Sequence, residues 1–63
     1  MFKHNQAIEI LGFDFANREV WEPGKIRKPR AAELPKPGDD WYVVEFDADK
    51  ARLYVHETRL RAA

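Results

Sequence analysis

Few side chains of this 63-residue chain could perform covalent chemistry. It contains no cysteine and no serine, and Thr58 is its only aliphatic hydroxyl. The two histidines, His4 and His56, do not form the i, i+4 pair that holds zinc on a helix. A nucleophile activated by a neighbouring base therefore has almost no residues to draw on. We expect a protein that is not an enzyme, with no catalytic residues, no metal site and no cofactor.

Four aspartates, Asp39, Asp40, Asp47 and Asp49, are close enough in sequence to surround a hard cation. The segment lacks the central glycine and the regularly spaced oxygen ligands of a calcium-binding loop. Aspartate is also common at the first position of a type I turn, where it needs no metal. The pattern therefore predicts a solvated turn at residues 47–50 rather than a cation site.

One basic cluster occupies residues 25–30, with Lys25, Arg27, Lys28 and Arg30 as its cations. On a strand that runs into a loop, Lys25 and Arg27 would share one face and the other two would lie nearby. Such a cluster suffices for contacts with nucleic-acid phosphates. Acidic residues of the following loop could instead neutralise it, and a dedicated nucleic-acid binder usually carries a positive excess, whereas the net charge here is zero. Weak, electrostatic nucleic-acid binding is therefore our alternative hypothesis of function.

The elements that would position these groups are organised around a predicted β-hairpin. Two runs of β-branched and aromatic residues, 42–44 and 53–55, flank the turn at 47–50. A register with Phe46 opposite Ala51 makes one face of the hairpin apolar. The same register pairs Trp41 with His56, Tyr42 with Val55, Val43 with Tyr54, Val44 with Leu53, and Glu45 with Arg52.

The reverse face of this hairpin is the predicted partner-binding surface. Trp41, Val43 and Tyr54 point away from the predicted core, and Trp21 on the preceding strand also lies outside. An apolar centre with a charged margin is typical of a protein interface. We expect a partner protein or a second copy of the chain to bind there. The alternative is that the proline-rich loop around residues 35–37 covers Trp41 and leaves too small a patch.

The remaining segments predict further strands and one loop. A strand begins at Ala7, and Gly12 lies where the apolar phase changes, which predicts a bulge or bend. After a turn at residues 16–18 comes a strand in which Gly24 would allow a close backbone approach. Residues 30–40 form a Pro-rich loop that could hold one helical turn. Residues 56–60 predict a 3-10 turn that buries Leu60.

Taken together, these segments predict one all-β domain spanning residues 1–63. Four main strands and a short fifth strand favour a small closed barrel over a sandwich. The predicted core combines the inward positions of each strand with the last leucine. Its members are Ile8, Ile10, Ile26, Tyr42, Val44, Phe46, Leu53, Val55 and Leu60.

Three short motifs resemble those of Tudor-type domains in the SH3-like barrel group. They are Trp21-Glu22-Pro23-Gly24-Lys25-Ile26, Tyr42-Val43-Val44-Glu45-Phe46-Asp47 and Val55-His56-Glu57-Thr58-Arg59-Leu60. The resemblance covers nearly the whole chain apart from the Pro-rich loop. It implies a small five-stranded SH3-like (Tudor-like) barrel with a short 3-10 turn near the C-terminus. Because the motifs are mostly structural, they bear on the fold more than on function.

Readers of methylated lysine or arginine in this family use a cation–π aromatic cage. Carried over by position, the cage places here hold Gly12 or Phe13, Glu22, Phe46 and Asp49. Phe15 could supply one more wall. The resemblance therefore implies at most a partial aromatic cage of Phe13, Phe15 and Phe46. We expect no preference for methylated peptides.

No apolar run is long enough to span a membrane, and the N-terminus lacks a signal-peptide pattern. With no cysteine, nothing indicates an oxidising compartment. We expect a soluble cytoplasmic domain with no membrane partner. The function that the sequence favours is a non-enzymatic protein-interaction module that binds a partner protein, or itself, through exposed aromatic residues.

Overall fold

All 63 residues are described by the computed structural model, in which five antiparallel strands form one sheet. The strands are β1 (Ala7–Phe13), β2 (Glu19–Arg27), β3 (Trp41–Phe46), β4 (Arg52–His56) and β5 (Leu60–Ala62). Two 3-10 helices, Ala31–Glu33 and Glu57–Arg59, lie in the β2–β3 loop and between β4 and β5. The predictions of an all-β, five-stranded protein and of a 3-10 turn near the C-terminus are confirmed.

The β3–β4 hairpin has the predicted register, from Trp41 opposite His56 to Glu45 opposite Arg52. Its turn is closed by two backbone hydrogen bonds of 2.9 Å, in which Phe46 N donates to Ala51 O and Lys50 N donates to Phe46 O. Lys50 has a positive φ of 61°, as the end of such a turn requires. The alternation of apolar residues was therefore sufficient to predict this pairing.

The predicted closure into a barrel is wrong, because the strand order is β4-β3-β2-β1-β5 and the two end strands do not pair. β5 pairs only with β1, opposite Ile8, Glu9 and Ile10. The 3-10 helix Glu57–Arg59 carries the chain from β4 to the far edge of the sheet. Near that edge Arg59 Nη2 donates to Leu11 O at 2.9 Å, so a side chain bonds to β1 beyond the end of β5.

The bend predicted at Gly12 is also absent, since β1 pairs with β2 in one unbroken register through Gly12 and Phe13. The irregularity lies instead before β1. There Asn5 N donates to Ile26 O at 2.7 Å, and Ile26 N donates to Gln6 O at 3.0 Å. Two residues thus oppose one, which is a β-bulge, and Asn5 adopts a positive φ of 66°. Without a bend at Gly12, Phe13 remains on the face opposite to that of the core.

The core lies on one face of the sheet, where six aliphatic residues are buried together and Phe2, Tyr42 and Phe46 pack against them. The six are Ile8, Ile10, Ile26, Val44, Val55 and Leu60, all of them predicted. The prediction for Leu53 is wrong, because its side chain is 46% exposed. Leu53 projects from an edge strand, and no neighbouring strand lies beyond β4 to cover it.

Gly24 allows a close approach of the neighbouring strands, as the sequence predicted. A Cβ atom there would lie 2.7 Å from the carbonyl oxygen of Glu45 on β3 and 2.8 Å from Cδ1 of Ile10 on β1. Both contacts are far inside van der Waals distance, and one of them is with backbone. Pro23 has no N–H to donate, and it fits beside Gly24 because its backbone faces β3 where that strand ends. Its carbonyl oxygen accepts from Asp47 N at 3.1 Å, one residue past the end of β3.

Replacing Gly24 with alanine should destabilise the fold by about 1–3 kcal/mol, as expected of overpacking in a close-packed site. Gly12→Ala is the matched control, because a Cβ at Gly12 would meet its nearest atoms only at 3.8 Å. That variant should be neutral or up to about 1 kcal/mol more stable. Urea unfolding of the two variants measures the difference, and equal stabilities would contradict the close approach at Gly24.

Candidate functional site

The predicted partner-binding surface on the outer face of the β3–β4 hairpin is not open. Val43 is only 2% exposed, so the expectation that its side chain is open to solvent on this face is wrong. Tyr54 is half-buried, and its hydroxyl is enclosed without a hydrogen-bond partner. Trp41 is half-buried and packs edge-on against His56, with ring centroids 5.3 Å apart. These residues lie in the predicted register, but the surface that they form is largely covered.

Arg52 anchors the long β2–β3 loop over this face. Its Nε and Nη2 donate to the two carboxylate oxygens of Glu33 at 3.1 and 2.7 Å. Nη2 also donates to the carbonyl oxygen of Lys28 at 2.9 Å, and Nη1 lies 3.6 Å from a carboxylate oxygen of Glu45. The Arg52 side chain is only 10% exposed. A bidentate, charge-assisted contact of this kind holds the loop close to β4 and also fixes its orientation.

The end of the same loop packs on Trp41. A Cβ on Gly38 would lie 3.2 Å from Cδ1 of the indole, and Asp40 O accepts from Glu57 N at 2.9 Å. The structure therefore agrees with the alternative interpretation, in which the Pro-rich loop covers Trp41. Val43 thus offers no free apolar side chain, whereas the half-buried Trp41 and Tyr54 keep part of their surface open to a cleft described below.

Trp21 is engaged within the chain as well. The guanidinium of Arg61 lies over its indole, with Cζ 3.9 Å from the ring centroid. Arg61 is held there by Glu9, whose Oε1 accepts from Nε at 2.7 Å. This three-residue stack covers part of the outer face of β1, β2 and β5, and Trp21 is half-buried as a result.

The basic cluster is divided by the fold. Lys25, Lys28 and Arg30 are exposed, but Arg27 is half-buried and donates from Nη1 to the side chain of Asn5. Arg27 Nε is enclosed without a partner. Glu33 does not neutralise the cluster, because its carboxylate is committed to Arg52 and to the backbone N–H of Arg30. Three of the four predicted cations therefore remain available at the surface.

An open cleft lies on the core face of the sheet, at the end where β4 has no neighbour. It has a volume of ≈ 300 Å³, and we call it the acidic cleft. Its lining residues are Glu22, Pro23, Phe46, Ala48, Asp49, Ala51 and Leu53. A second cleft of ≈ 260 Å³ adjoins it, shares Glu22, Phe46 and Leu53, and extends past Gly12 to Arg59.

Local structure explains the chemistry of the acidic cleft. Glu22 has the same strand phase as Gly24 and Ile26, so its carboxylate lies on the core face but at the open end. Asp49 is positioned by the turn, where its Oδ1 accepts from Ala51 N at 3.0 Å. Neither carboxylate is among the ion pairs of the structure, which join Arg52 to Glu33 and Glu45, and Arg61 to Glu9. The cleft thus combines an apolar lining with two unpaired negative charges.

The partial aromatic cage does not assemble. Only Phe46 of the three predicted phenylalanines lines the cleft. Phe13 is 58% exposed and Phe15 is fully exposed on the β1–β2 turn. The unbent course of β1 is the reason, because it leaves Phe13 on the outer face. Three of the four positions carried over from the family pattern, Glu22, Phe46 and Asp49, do line one cleft.

Sequence reasoning missed the part that Leu53 plays. The apolar alternation placed it in the core, whereas it forms the exposed wall of the acidic cleft.

The groups that the sequence offered for chemistry have structural partners. His56 Nδ1 accepts from Thr58 N at 3.3 Å and lies 2.8 Å from Thr58 Oγ1, so it caps the 3-10 helix Glu57–Arg59. No group of three or more His, Cys, Asp or Glu side chains is arranged to hold a metal ion. None of the helices is long and apolar enough to cross a membrane.

Comparisons with known proteins identified no relative of this chain. A scan against protein-family models, a search of curated proteins and a search of solved structures found no match to this chain. The acidic cleft and the exposed cations Lys25, Lys28 and Arg30 are therefore the surface features that bear on function.

The loop anchor should weaken in acid. The hydrogen bond from Arg52, with that from the Arg30 backbone, lowers the pKa of Glu33 from 4.5 to about 2. Because this pKa is lower in the folded chain than in the unfolded one, the stabilisation is complete above pH 4.5 and is lost as the pH falls to about 2. Glu33→Gln should remove this part of the acid dependence of unfolding, measured by denaturant titration over that range.

Glu19→Gln is the control for this measurement, because Glu19 is exposed at the start of β2. It should keep the acid dependence of the parent chain. An unchanged slope in Glu33→Gln would show that the carboxylate does not anchor the loop.

Proposed function

We propose that this protein is a non-enzymatic protein-interaction module with an SH3-like, Tudor-like fold, and that the acidic cleft is its contact site. The observation that carries the proposal is the pair of unpaired carboxylates, Glu22 and Asp49, beside the apolar walls of Phe46 and Leu53. The motif resemblance supports the fold, as do the five antiparallel strands and the 3-10 turn before the last strand, whereas the sheet itself is open. The cleft replaces the outer face of the hairpin as the proposed surface.

The chemistry of the cleft suits a lysine or arginine side chain of a partner protein. The aliphatic stem of such a residue packs on apolar surface while its charged head reaches a polar rim. Here Phe46 and Leu53 would contact the stem, and Glu22 and Asp49 would accept hydrogen bonds from the head. Charge-assisted hydrogen bonds are shorter and stronger than neutral ones, and in a partly enclosed site they are less screened than on open surface.

Methylation of the partner residue should bring no gain. A methylated cation is recognised by several aromatic faces, whereas this cleft has the single phenyl ring of Phe46 among its lining residues. Carboxylates, in contrast, need N–H donors, and each added methyl group replaces one of them. The site therefore favours the unmodified cation.

A peptide titration followed by amide chemical shifts tests the proposal. The probes are capped pentapeptides of glycine with one central arginine, lysine, dimethyl-lysine or glutamate. Arginine and lysine peptides should shift the amides of residues 46–53, the dimethyl-lysine peptide should bind no more tightly, and the glutamate peptide should leave them unchanged. The variant pair Glu22→Gln and Asp49→Asn should abolish these shifts.

Asp49→Asn is chosen because an asparagine oxygen can still accept from Ala51 N, so the turn is preserved. Glu19→Gln, outside the cleft, should bind as the parent does. If dimethyl-lysine were preferred, the cleft would be acting as an aromatic cage. If no peptide shifted these amides in the parent chain, the acidic cleft would not be the contact site.

One observation favours a second candidate function, the binding of nucleic acid through the basic segment. Lys25, Lys28 and Arg30 are exposed, and none is in an ion pair. Three cations can neutralise few phosphates, and the formal net charge of the chain is zero. Binding by this route would be weak and independent of base sequence.

Lys28→Glu with Arg30→Glu should abolish any binding to a mixed single-stranded oligonucleotide, measured by fluorescence anisotropy. For the parent chain the logarithm of affinity should fall with the logarithm of salt concentration with a slope of about −2 to −3, as expected for three phosphate contacts. Glu22→Gln leaves these cations in place and serves as the control. Tight binding that persists at high salt would contradict an electrostatic contact.

A further inference from the structure

The turn between β1 and β2 is built to hold one conformation. Asp14 Oδ1 accepts from the backbone N–H groups of Ala16 and Arg18, both at 2.9 Å. Asp14 N donates to Arg18 O, and Asn17 N donates to Asp14 O, both at 3.0 Å. Asn17 takes the positive φ, 63°, that the turn needs. Four hydrogen bonds therefore fix a turn of five residues.

This ordered turn displays an aromatic side chain to solvent. Phe15 is fully exposed, and Phe13 and Val20 behind it are 58% and 38% exposed. A large apolar side chain on a preorganised turn loses little conformational freedom on binding, which is the property of an interface anchor. Phe15 therefore combines full exposure with an ordered backbone, the two properties of such an anchor.

The acidic cleft of the same protein matches this anchor in size and chemistry. Its ≈ 300 Å³ and its lining by Phe46, Leu53 and Pro23 can receive a phenyl ring. Arg18 is exposed three residues after Phe15, on the same turn. Its cation would meet the two carboxylates on the rim of the cleft. The anchor and the cleft are thus complementary both in apolar surface and in charge.

The anchor and the cleft lie at the same end of the molecule. Gly12 lines the adjoining cleft, and only three residues of chain, at most about 11 Å, separate it from Phe15. A two-fold axis near this end can therefore place each Phe15 on the cleft of the other copy. Such an interface uses the same patch on both copies and closes after two.

We propose that the chain forms a symmetric dimer in which Phe15 of each copy occupies the acidic cleft of the other, with Arg18 paired to Glu22 and Asp49. The inference rests on the proposed function, because it names a second copy of this chain as the protein bound in that cleft. It also accounts for an exposed phenyl ring and an open apolar cleft on one small surface.

Sedimentation velocity of the full chain over a range of concentrations tests the dimer. The parent chain should pass from monomer to dimer, and Phe15→Ser should remain a monomer. Phe13→Ser is the matched control, since it removes an exposed phenyl ring from the same hairpin but leaves the anchor intact. If both variants lost the dimer equally, general apolarity and not the anchor would hold it.

A charge exchange tests the pairing across the interface. Arg18→Glu and Glu22→Arg, made singly, should each raise the dimer dissociation constant by about tenfold or more, because like charges then face one another. The double variant should recover most of the parent affinity. Failure of the double variant to recover, with both single variants weakened, would contradict the proposed contact between these residues.

The peptide titration separates this inference from the proposed function. Phe15→Ser keeps its own cleft free, so the arginine peptide should still shift its cleft amides. A monomeric parent chain that binds the peptide would overturn the dimer and leave the interaction module in place. A parent chain that neither dimerises nor binds the peptide would overturn both. A dimer that persists in Phe15→Ser would show that another face joins the copies.

Discussion

The close approach of three strands at Gly24 is the constraint on which the rest of the structure depends. With no Cβ in the way, the carbonyl of Glu45 and the side chain of Ile10 both reach the backbone of β2. This approach lets β1 and β3, on either side of β2, bring their aliphatic side chains together over one face. Six buried aliphatic residues then form the core of a chain that has no disulfide to support it.

The two faces of the sheet have different roles because the charged residues are used differently on each. On the outer face, the Arg52 guanidinium pairs with Glu33 and Glu45 and donates to the carbonyl oxygen of Lys28. Val43, on the same face, is buried. On the core face, Glu22 and Asp49 have no cation beside them. The difference follows from the open edge at β4, since the sheet ends there and no further element packs against the cleft. The outer face is therefore largely covered, and the cleft on the core face is open.

Three residues of the acidic cleft could be predicted to lie together, but the sequence did not predict that the cleft is open to solvent. Glu22, Phe46 and Asp49 were grouped by the positions that the family resemblance carried over. Leu53 was misassigned because alternation reports which face a residue is on and not whether another strand covers it. Val43 was misassigned for the opposite reason, since it lies on the outer face and is nevertheless buried, and local patterning does not specify where the β2–β3 loop packs.

The sequence alone determined the hairpin register, the turn at residues 47–50, the six aliphatic core positions and the 3-10 turn before Leu60. These features depend on period-two alternation and on turn residues, which act over a few neighbouring positions. Only the tertiary structure decided that the sheet stays open, that Arg52 anchors the Pro-rich loop through Glu33, that Val43 is buried, and that Arg61 covers Trp21. Those outcomes depend on contacts between residues far apart in the sequence, such as Arg61 and Glu9, which are 52 positions apart. Their geometry is set by how strands and loops pack and not by any local pattern.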